Sequence, residues 1–407
     1  MKINYITGHA GTGKSHYLVE QITALKPEDT IVIVPTHKAG SVLETRLLAK
    51  STSAANLYEI KTMHSVLGWI PGVNEAADDI AKVDVTVKLI KELPEYKNIV
   101  IDEFSMISED MLMTLTGMID EQCDYESDHI TLTLYGDPYQ LPPVKGTPIQ
   151  TDPDTTTHLT KQYRSESPDI VELFTKFVRY MEGSNTMDLT VPESKHVKYV
   201  DSITGFKEGD RLLAFTNEAV GNYNQQIARS LGVTGYEGQT VQLGSMLEPT
   251  YMEQWLHPSL EDLLEWYDSG RLRMQNARIN KKFLEHSLRA MISDPDIQFI
   301  TEEYYVYPVI VGVGNAYKIR NTIKAVAVEA KGKDRSRAWA RYYALERAYT
   351  MDYTYASTTH KSQGNEFNTV WIDKGDISRS IFRGNYNTYA RLMYVALSRS
   401  IKNVKIL

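Results

Sequence analysis

The sequence predicts an α/β protein built on parallel sheets, with smaller modules inserted into two sheet-forming regions. Three observations carry this. Short apolar runs rich in β-branched residues alternate with helical patterns through the first 150 residues. A glycine-rich loop lies between the first such run and the first helical pattern. A second α/β pattern follows, interrupted between residues 240 and 350 by a stretch of different rhythm.

In chain order, INYIT (3–7), TIVIVP (30–35), NIVID (98–102) and TLTLYG (131–136) read as buried strands, each followed by turn or helix signals. Residues 65–95 lack clear periodicity and read as a small insertion, so residues 1–64 and 96–155 form the first domain. Ser167-Pro168 is a helix start, with serine at the cap and proline at the first helical position. RLLAFTN (211–217), TVWID (369–373) and KNVKIL (402–407) read as strands of a second domain, residues 156–240 and 351–407. Residues 241–350 form its inserted module. There Asp262–Lys282 carries helical periodicity, 303–312 is a tyrosine-rich β run, and Ser336–Tyr349 reads as a helix.

A chain of 407 residues has room for two or three domains, and 42% hydrophobic with 24% charged residues is ordinary globular composition. No apolar run is long enough to span a bilayer, so no membrane partner is expected. The start lacks the layout of a signal peptide. The single cysteine, Cys123, excludes an internal disulfide and a thiolate metal site, which fits a reducing cytoplasm. A net charge of −8 argues against a protein that is basic throughout. One local exception is residues 318–347, with nine Lys/Arg against three acids, which reads either as a solvated helix face or as a polyanion contact.

Gly8-His9-Ala10-Gly11-Thr12-Gly13-Lys14-Ser15 satisfies the G-x-x-x-x-G-K-[ST] phosphate-binding pattern, placed between a strand and a helix. Its glycines let backbone N–H groups turn inward, and the helix N-terminus adds a positive dipole end. Lys14 suits the β- and γ-phosphates, and Ser15 suits Mg²⁺. The apolar strand ending in Asp102-Glu103 supplies a second acidic element: Asp102 for the metal's water shell and Glu103 to polarise an attacking water. In YGDPYQLPPV (135–144), a proline-rich exit loop accounts for the prolines but not for Gln140, which is placed to sense a γ-phosphate or the lytic water.

These elements continue into LTKQYRS (159–165), TTHKSQG (358–364) and YVALSR (394–399). Taken in this order, from residue 8 to residue 399, they resemble the motif series of the superfamily-1 helicases. The resemblance is to the 5′→3′ branch that includes RecD and the phage helicase Dda. It implies two RecA-like parallel-sheet P-loop domains, with a pin-like insertion in the first and an SH3-like or mixed one in the second. It also implies ATP hydrolysis with Mg²⁺, coupled to movement on single-stranded DNA and to unwinding of tailed duplexes, in replication, recombination or repair.

By the same resemblance Arg164 is a γ-phosphate ligand and Arg399 an arginine finger, joining Lys14, Glu103 and Gln140 as catalytic groups. Gln363, Gly364 and Glu366 join the nucleotide site. Pro35, Thr36, His37, Thr62, His64, Thr359 and His360 fall at strand-contacting positions, although each residue type is also a common cap or turn residue. Trp69 is the aromatic of the expected pin, with a core tryptophan as the alternative. The resemblance further implies a monomer in a bacterial or phage-infected cytoplasm, with replication or single-strand-binding proteins as partners. Two departures stand out. The family's adenine-selecting glutamine motif has no room before residue 8. The helical section from Pro258 to Ala290 is unlike a plain SH3 barrel. Alternatives are an RNA helicase or nucleoprotein-remodelling ATPase, and a slow P-loop switch.

Overall fold

The computed structural model describes residues 1–35, 37–50, 58–67, 96–122, 129–143, 146–163, 167–183, 188–244, 250–275, 284–381 and 384–407, without the side chains of residues 37, 38, 41, 313, 314 and 317. The expected pin, with Trp69, lies outside the described residues, as do Thr36 and Arg164.

The first sheet comprises β1 (Lys2–Gly8), β2 (Thr30–Val34), β3 (Glu59–Thr62), β4 (Asn98–Ile101), β5 (Thr131–Gly136) and β6 (Thr155–Leu159), in the order β3-β2-β4-β5-β1-β6. Every pairing is parallel. β2 is buried along its whole length, as a strand covered on both faces must be. The two-residue period sends Ile31 and Ile33 to one face with Ile99, Ile101, Leu132 and Leu134, and Val32 and Val34 to the other with Ile6 and Val100. Helices α1 (Lys14–Thr23) and α2 (His37–Lys50) cover the second face through Leu18, Ile22, Leu43 and Leu47. Between β3 and β4 the short α3 (Met63–Val66) follows, and after β4 comes α4 (Glu109–Gln122), which closes the first face with Leu112, Leu115 and Ile119. Each fully buried side chain of this kind contributes about 1.5–3 kcal/mol.

Helix α5 (Pro168–Met181) begins at Ser167 as the sequence predicts, but that serine does not cap it with its side chain. Its hydroxyl instead donates to the carbonyl of Lys402 at 3.1 Å, so the proline and not a cap bond fixes the start.

Strands β7 (Val197–Tyr199), β8 (Arg211–Ala214), β15 (Ala356–Thr358), β16 (Phe367–Ile372) and β17 (Ser400–Ile406) make a five-stranded sheet, ordered β15-β8-β16-β17-β7. Both pairings of β8 are parallel. Helix α6 (Asn217–Ser230) follows β8, its start capped by Thr216. The third sheet is mixed, ordered β10-β9-β14-β13-β12-β11. Its strands are β9 (Gln239–Leu243), β10 (Thr250–Met252), β11 (Trp255–Leu256), β12 (Gln298–Glu302), β13 (Tyr305–Val311) and β14 (Tyr349–Tyr353).

Four helices accompany that sheet: α7 (Leu260–Asp268), α8 (Leu284–Ser293), α9 (Val313–Glu329) and α10 (Gly332–Arg347). Within the stretch Asp262–Lys282 the described helix ends at Asp268, the chain turns at Gly270 with φ 72°, and residues 276–282 lie outside the described residues. Helix α9 carries no clear stripe in sequence and is not among the predicted elements.

Two further helices are described near the end of the chain, the one-turn α11 (Lys374–Ser378) and the 13-residue α12 (Tyr386–Ser398). The chain forms two compact units. One comprises residues 1–198, 362–369 and 380–404, the other residues 199–361, 370–379 and 405–407.

Candidate nucleotide site

Within the first unit, β1 ends at Gly8 and the loop enters α1 through Gly13, whose φ of 80° lies in the left-handed region that glycine adopts without strain. Gly8 is required for a different reason: a Cβ there would lie 2.5 Å from Thr12 Oγ1 and 2.8 Å from the Leu159 carbonyl. Inside the loop the Thr12 hydroxyl and amide donate to the His9 carbonyl, at 2.8 and 3.2 Å. Lys14 Nζ folds back onto the carbonyls of Gly8 (2.6 Å) and His9 (2.9 Å). Its charge is therefore held over the loop that would receive phosphates. Ser15 follows as the second residue of α1.

Strand β4 delivers the acid pair. Glu103 sits at φ 50°, one of two non-glycine residues with positive φ among the described residues, a strained conformation that re-aims its side chain. Its Oε2 is buried with no hydrogen-bond partner among the described residues, an acceptor left open for a water. Asp102 Oδ1 accepts the Glu103 amide at 2.9 Å. Burial first, and the neighbouring Glu103 charge second, push the Asp102 carboxyl well above the usual carboxylate range.

Such a carboxyl calls for a cation. A hard divalent ion held by Asp102 and Ser15, with nucleotide oxygens completing its shell, is how Mg²⁺ binds at phosphate sites. No cluster of three or more His, Cys, Asp or Glu forms a self-sufficient metal site among the described residues. The donor set thus fits a metal that arrives with its nucleotide.

The raised pKa gives a stability signature. Folded Asp102 holds its proton more tightly than the unfolded chain does. Its stabilisation is complete below the ordinary carboxylate pKa and is lost as pH rises through the folded value. Metal-free wild type should therefore lose melting temperature relative to Asp102→Asn as pH rises from about 5 to about 8, and Mg²⁺ with nucleotide should restore it. Melting curves that run parallel across that range would count against a desolvated Asp102.

The 137–140 turn completes the near side. Asp137 is fully buried, and its Oδ1 accepts the Tyr139 amide at 3.0 Å. Gln140 is buried, and its side-chain oxygen accepts from Gln363 Nε2 at 3.4 Å. The structure thus brings together Gln140 and Gln363, two of the residues singled out in the sequence. Gly364 follows at φ 80° and Glu366 is exposed.

Helix α12 is buried on nearly every side, and Phe174 and Phe177 of α5 pack edge-on against its Tyr394 and Tyr389. This fixes Tyr394, to which sequence reasoning assigns no role. Its hydroxyl accepts the Ala10 amide at 2.7 Å and donates to Asp137 Oδ2. Burial, then the Asp137 charge, hold the Tyr394 hydroxyl protonated far above its usual range. One turn earlier, Arg391 Nη1 donates to the carbonyls of Pro138 (2.7 Å) and Gln140 (2.6 Å). One helix thereby ties the phosphate loop to the glutamine turn. The signal is present in the quoted motifs, since Asp137 and Tyr394 are their buried polar members.

Arg399 caps α12 and is only 1% exposed. Its guanidinium donates to Ser398 Oγ at 3.0 Å, the Val395 carbonyl at 3.3 Å and the Asn365 carbonyl at 3.4 Å. It is no surface arginine.

A further pair escapes sequence reasoning. Gln162 Nε2 donates to the Ala10 carbonyl (2.8 Å) and the Tyr163 amide to the Gly11 carbonyl (2.8 Å). The Tyr163 ring, 66% exposed, lies beside Gly13, where a Cβ would come within 3.3 Å, and carries Lys161 over its face. His9 packs against Tyr139 and His158, and burial lowers its pKa.

The expected strand contacts are placed less directly. Pro35 closes β2 half-buried, and the side chain of His37 lies outside what is described. The Thr62 hydroxyl accepts the Ser65 amide and caps α3, and the buried Thr359 hydroxyl donates to the Ala214 carbonyl at 3.2 Å. Both threonines therefore hold the fold in this structure. His64 and His360 are half-buried, and burial lowers the pKa of each.

Comparison with known proteins adds to this geometry. The sequence family described as an AAA domain matches residues 1–146. A second, described as the UvrD-like helicase C-terminal domain, matches residues 353–407 and contains Arg399. The two family matches thus fall at opposite ends of the chain, and the motifs read in the sequence lie within or between them.

Among curated proteins, the uncharacterized protein R530 of Acanthamoeba polyphaga mimivirus is 34% identical over 155 residues, which is 35% of this chain. The match spans only 29% of that relative's length. Solved structures share the fold of this chain at low identity. The Pif1 helicase of Candida albicans has a TM-score of 0.53 at 16% identity, over 100% of this chain and 90% of that one. A Pif1 from Bacteroides, described as bound to ssDNA, has a TM-score of 0.52 at 15% identity, over 100% and 88%. A third, described as two coordinating Pif1 helicases at forked dsDNA, has a TM-score of 0.53 at 14%, over 100% and 88%.

Proposed function

We propose that this chain hydrolyses ATP to move 5′→3′ along single-stranded DNA and to unwind tailed duplexes. The observation that carries the reading is the chain of bonds from the Ala10 amide through Tyr394 to Asp137, which joins the phosphate loop, the Gln140 turn and the helix bearing Arg399. A slow switch has no need of a buried helix that holds both a phosphate loop and a glutamine turn. The Pif1 structures described as bound to ssDNA and at forked dsDNA use the same fold, which supports DNA as the track.

In this mechanism Lys14 leaves the Gly8 and His9 carbonyls for the β- and γ-phosphates, and the loop amides orient them. Ser15 and Asp102 would hold Mg²⁺, which when bound would supply charge neutralisation on the phosphate oxygens. Glu103 Oε2 accepts a hydrogen bond from the attacking water and draws its proton. Gln140, positioned by Arg391 and paired with Gln363, reports whether the γ-phosphate is present. Arg399 and Arg164 stabilise charge developing in the transition state. The exposed Tyr163 ring beside Gly13 gives the base a stacking surface.

Pro35, Thr36, His37, His64 and His360 fall to the DNA path, and the backbones held by Thr62 and Thr359 shape it. A monomer in the cytoplasm, serving replication, recombination or repair beside single-strand-binding proteins, goes with this reading; the single cysteine supports the compartment. ATP turnover measured alone, with oligo-dT and with oligo-U tests it. Stimulation by the DNA oligomer is expected. Stimulation by RNA alone would transfer the reading to an RNA motor, and no stimulation by either would leave a switch.

A further inference from the structure

The basic stretch noted in the sequence folds into two consecutive helices, α9 and α10, joined by Ala330 and Lys331. Its nine cations divide by what they touch, Lys324 lying over the Tyr342 ring at 5.9 Å. Arg341 is spent on Asp294 and Asp296, at 2.9 and 2.7 Å. Arg320 locks the two helices together through the carbonyls of Leu345 and Ala348, at 3.0 and 2.7 Å. Lys318, Lys331, Lys333 and Arg335 are exposed and make no ion pair among the described residues. The Arg337–Asp334 pair is long, at 3.9 Å, and open to solvent, where such a contact is weak.

Along α10, Arg335, Trp339, Tyr343 and Arg347 follow one another at four-residue steps and so share one ridge. The Trp339 and Tyr343 rings are stacked, with centroids 5.7 Å apart and planes at 27°. Arg347 lies over the Tyr343 ring at 5.9 Å, and Tyr343 is 43% exposed. An aromatic stack exposed at Tyr343 and half-exposed at Trp339, on a ridge that begins at the exposed Arg335 and near exposed lysines, has the two features a single nucleic-acid strand requires. The rings offer a π-face to any base, and the cations neutralise phosphates. In a chain of net charge −8 this concentration of cations is local to the helix pair.

We propose that the α9–α10 pair is a docking surface for single-stranded nucleic acid, with Tyr343 and Trp339 as its stacking platform. This rests on the proposed movement along a strand and adds to it a contact outside the motif series. The test uses the full chain and a fluorescent oligo-dT, with binding followed by anisotropy across a range of salt. The K331Q/K333Q/R335Q variant should flatten the slope of log affinity against log salt by about 2, near 0.7 for each phosphate that is no longer neutralised. Tyr343→Leu should weaken binding by roughly 5- to 100-fold with its slope unchanged. Trp339→Phe should lose part of the fluorescence quenching that the oligomer produces. ATP turnover without DNA should be unaffected in all three. If the wild type binds oligo-dT and is stimulated by it while these variants match it in slope, affinity and quenching, the docking surface is wrong and the motor reading stands. If the wild type neither binds nor responds, the motor reading fails, and the docking surface with it.

Discussion

Glu103→Gln is expected to lower ATP turnover by about 10²–10⁴-fold, the range of a positioned general base, while nucleotide affinity is kept. The backbone argues for this as much as the carboxylate does. Glu103 is held at φ 50° directly after a buried strand, and its Oε2 has no hydrogen-bond partner among the described residues. A side chain held in strain and left an open acceptor is suited to a water, not to the fold. The amide of glutamine keeps the shape but cannot take a proton. Single-turnover measurements with radiolabelled ATP separate the two steps. If the variant binds nucleotide poorly but hydrolyses what it binds at the wild-type rate, Glu103 serves binding, not proton transfer.

Arg399→Lys is expected to lower turnover by about 10³–10⁵-fold, as for loss of a charge-stabilising arginine in phosphoryl transfer, again with nucleotide binding retained. Arg399 holds three neutral acceptors at once, which a lysine cannot reproduce with its single nitrogen. Retaining the charge limits damage to the packing around a residue that is 1% exposed. A normal melting temperature with intact nucleotide binding and abolished turnover would mark a catalytic role. A lowered melting temperature accompanied by loss of nucleotide binding would make Arg399 a structural cap of α12.

Much of this is legible in the sequence because the chemistry is local there. The phosphate loop needs glycines at fixed offsets between a strand and a helix, and Gly8–Ser15 show that spacing directly. The buried strands β2, β4 and β5 announce themselves as unbroken β-branched runs, since a strand covered on both faces has no polar alternation to hide it. What the sequence conceals is long-range. No spacing links Ala10 to Tyr394, 384 residues apart, or Arg391 to the carbonyl of Gln140, since the partners are backbone groups. Thr62 and Thr359 illustrate a related point. A hydroxyl that caps a helix and one that binds a carbonyl look the same in sequence as one offered to a phosphate. Helix α9 escapes notice because its apolar residues do not gather into one stripe, and Val326 and Val328 remain exposed.

Direction of movement bears most directly on the central claim, because it requires ATP hydrolysis, grip on a strand and coupling of the two. Blunt, 5′-tailed and 3′-tailed duplexes, presented with ATP and Mg²⁺ and followed by strand separation, give the answer. Unwinding of the 5′-tailed DNA duplex alone is expected, abolished in Lys14→Ala. Unwinding of only the 3′-tailed duplex would contradict it.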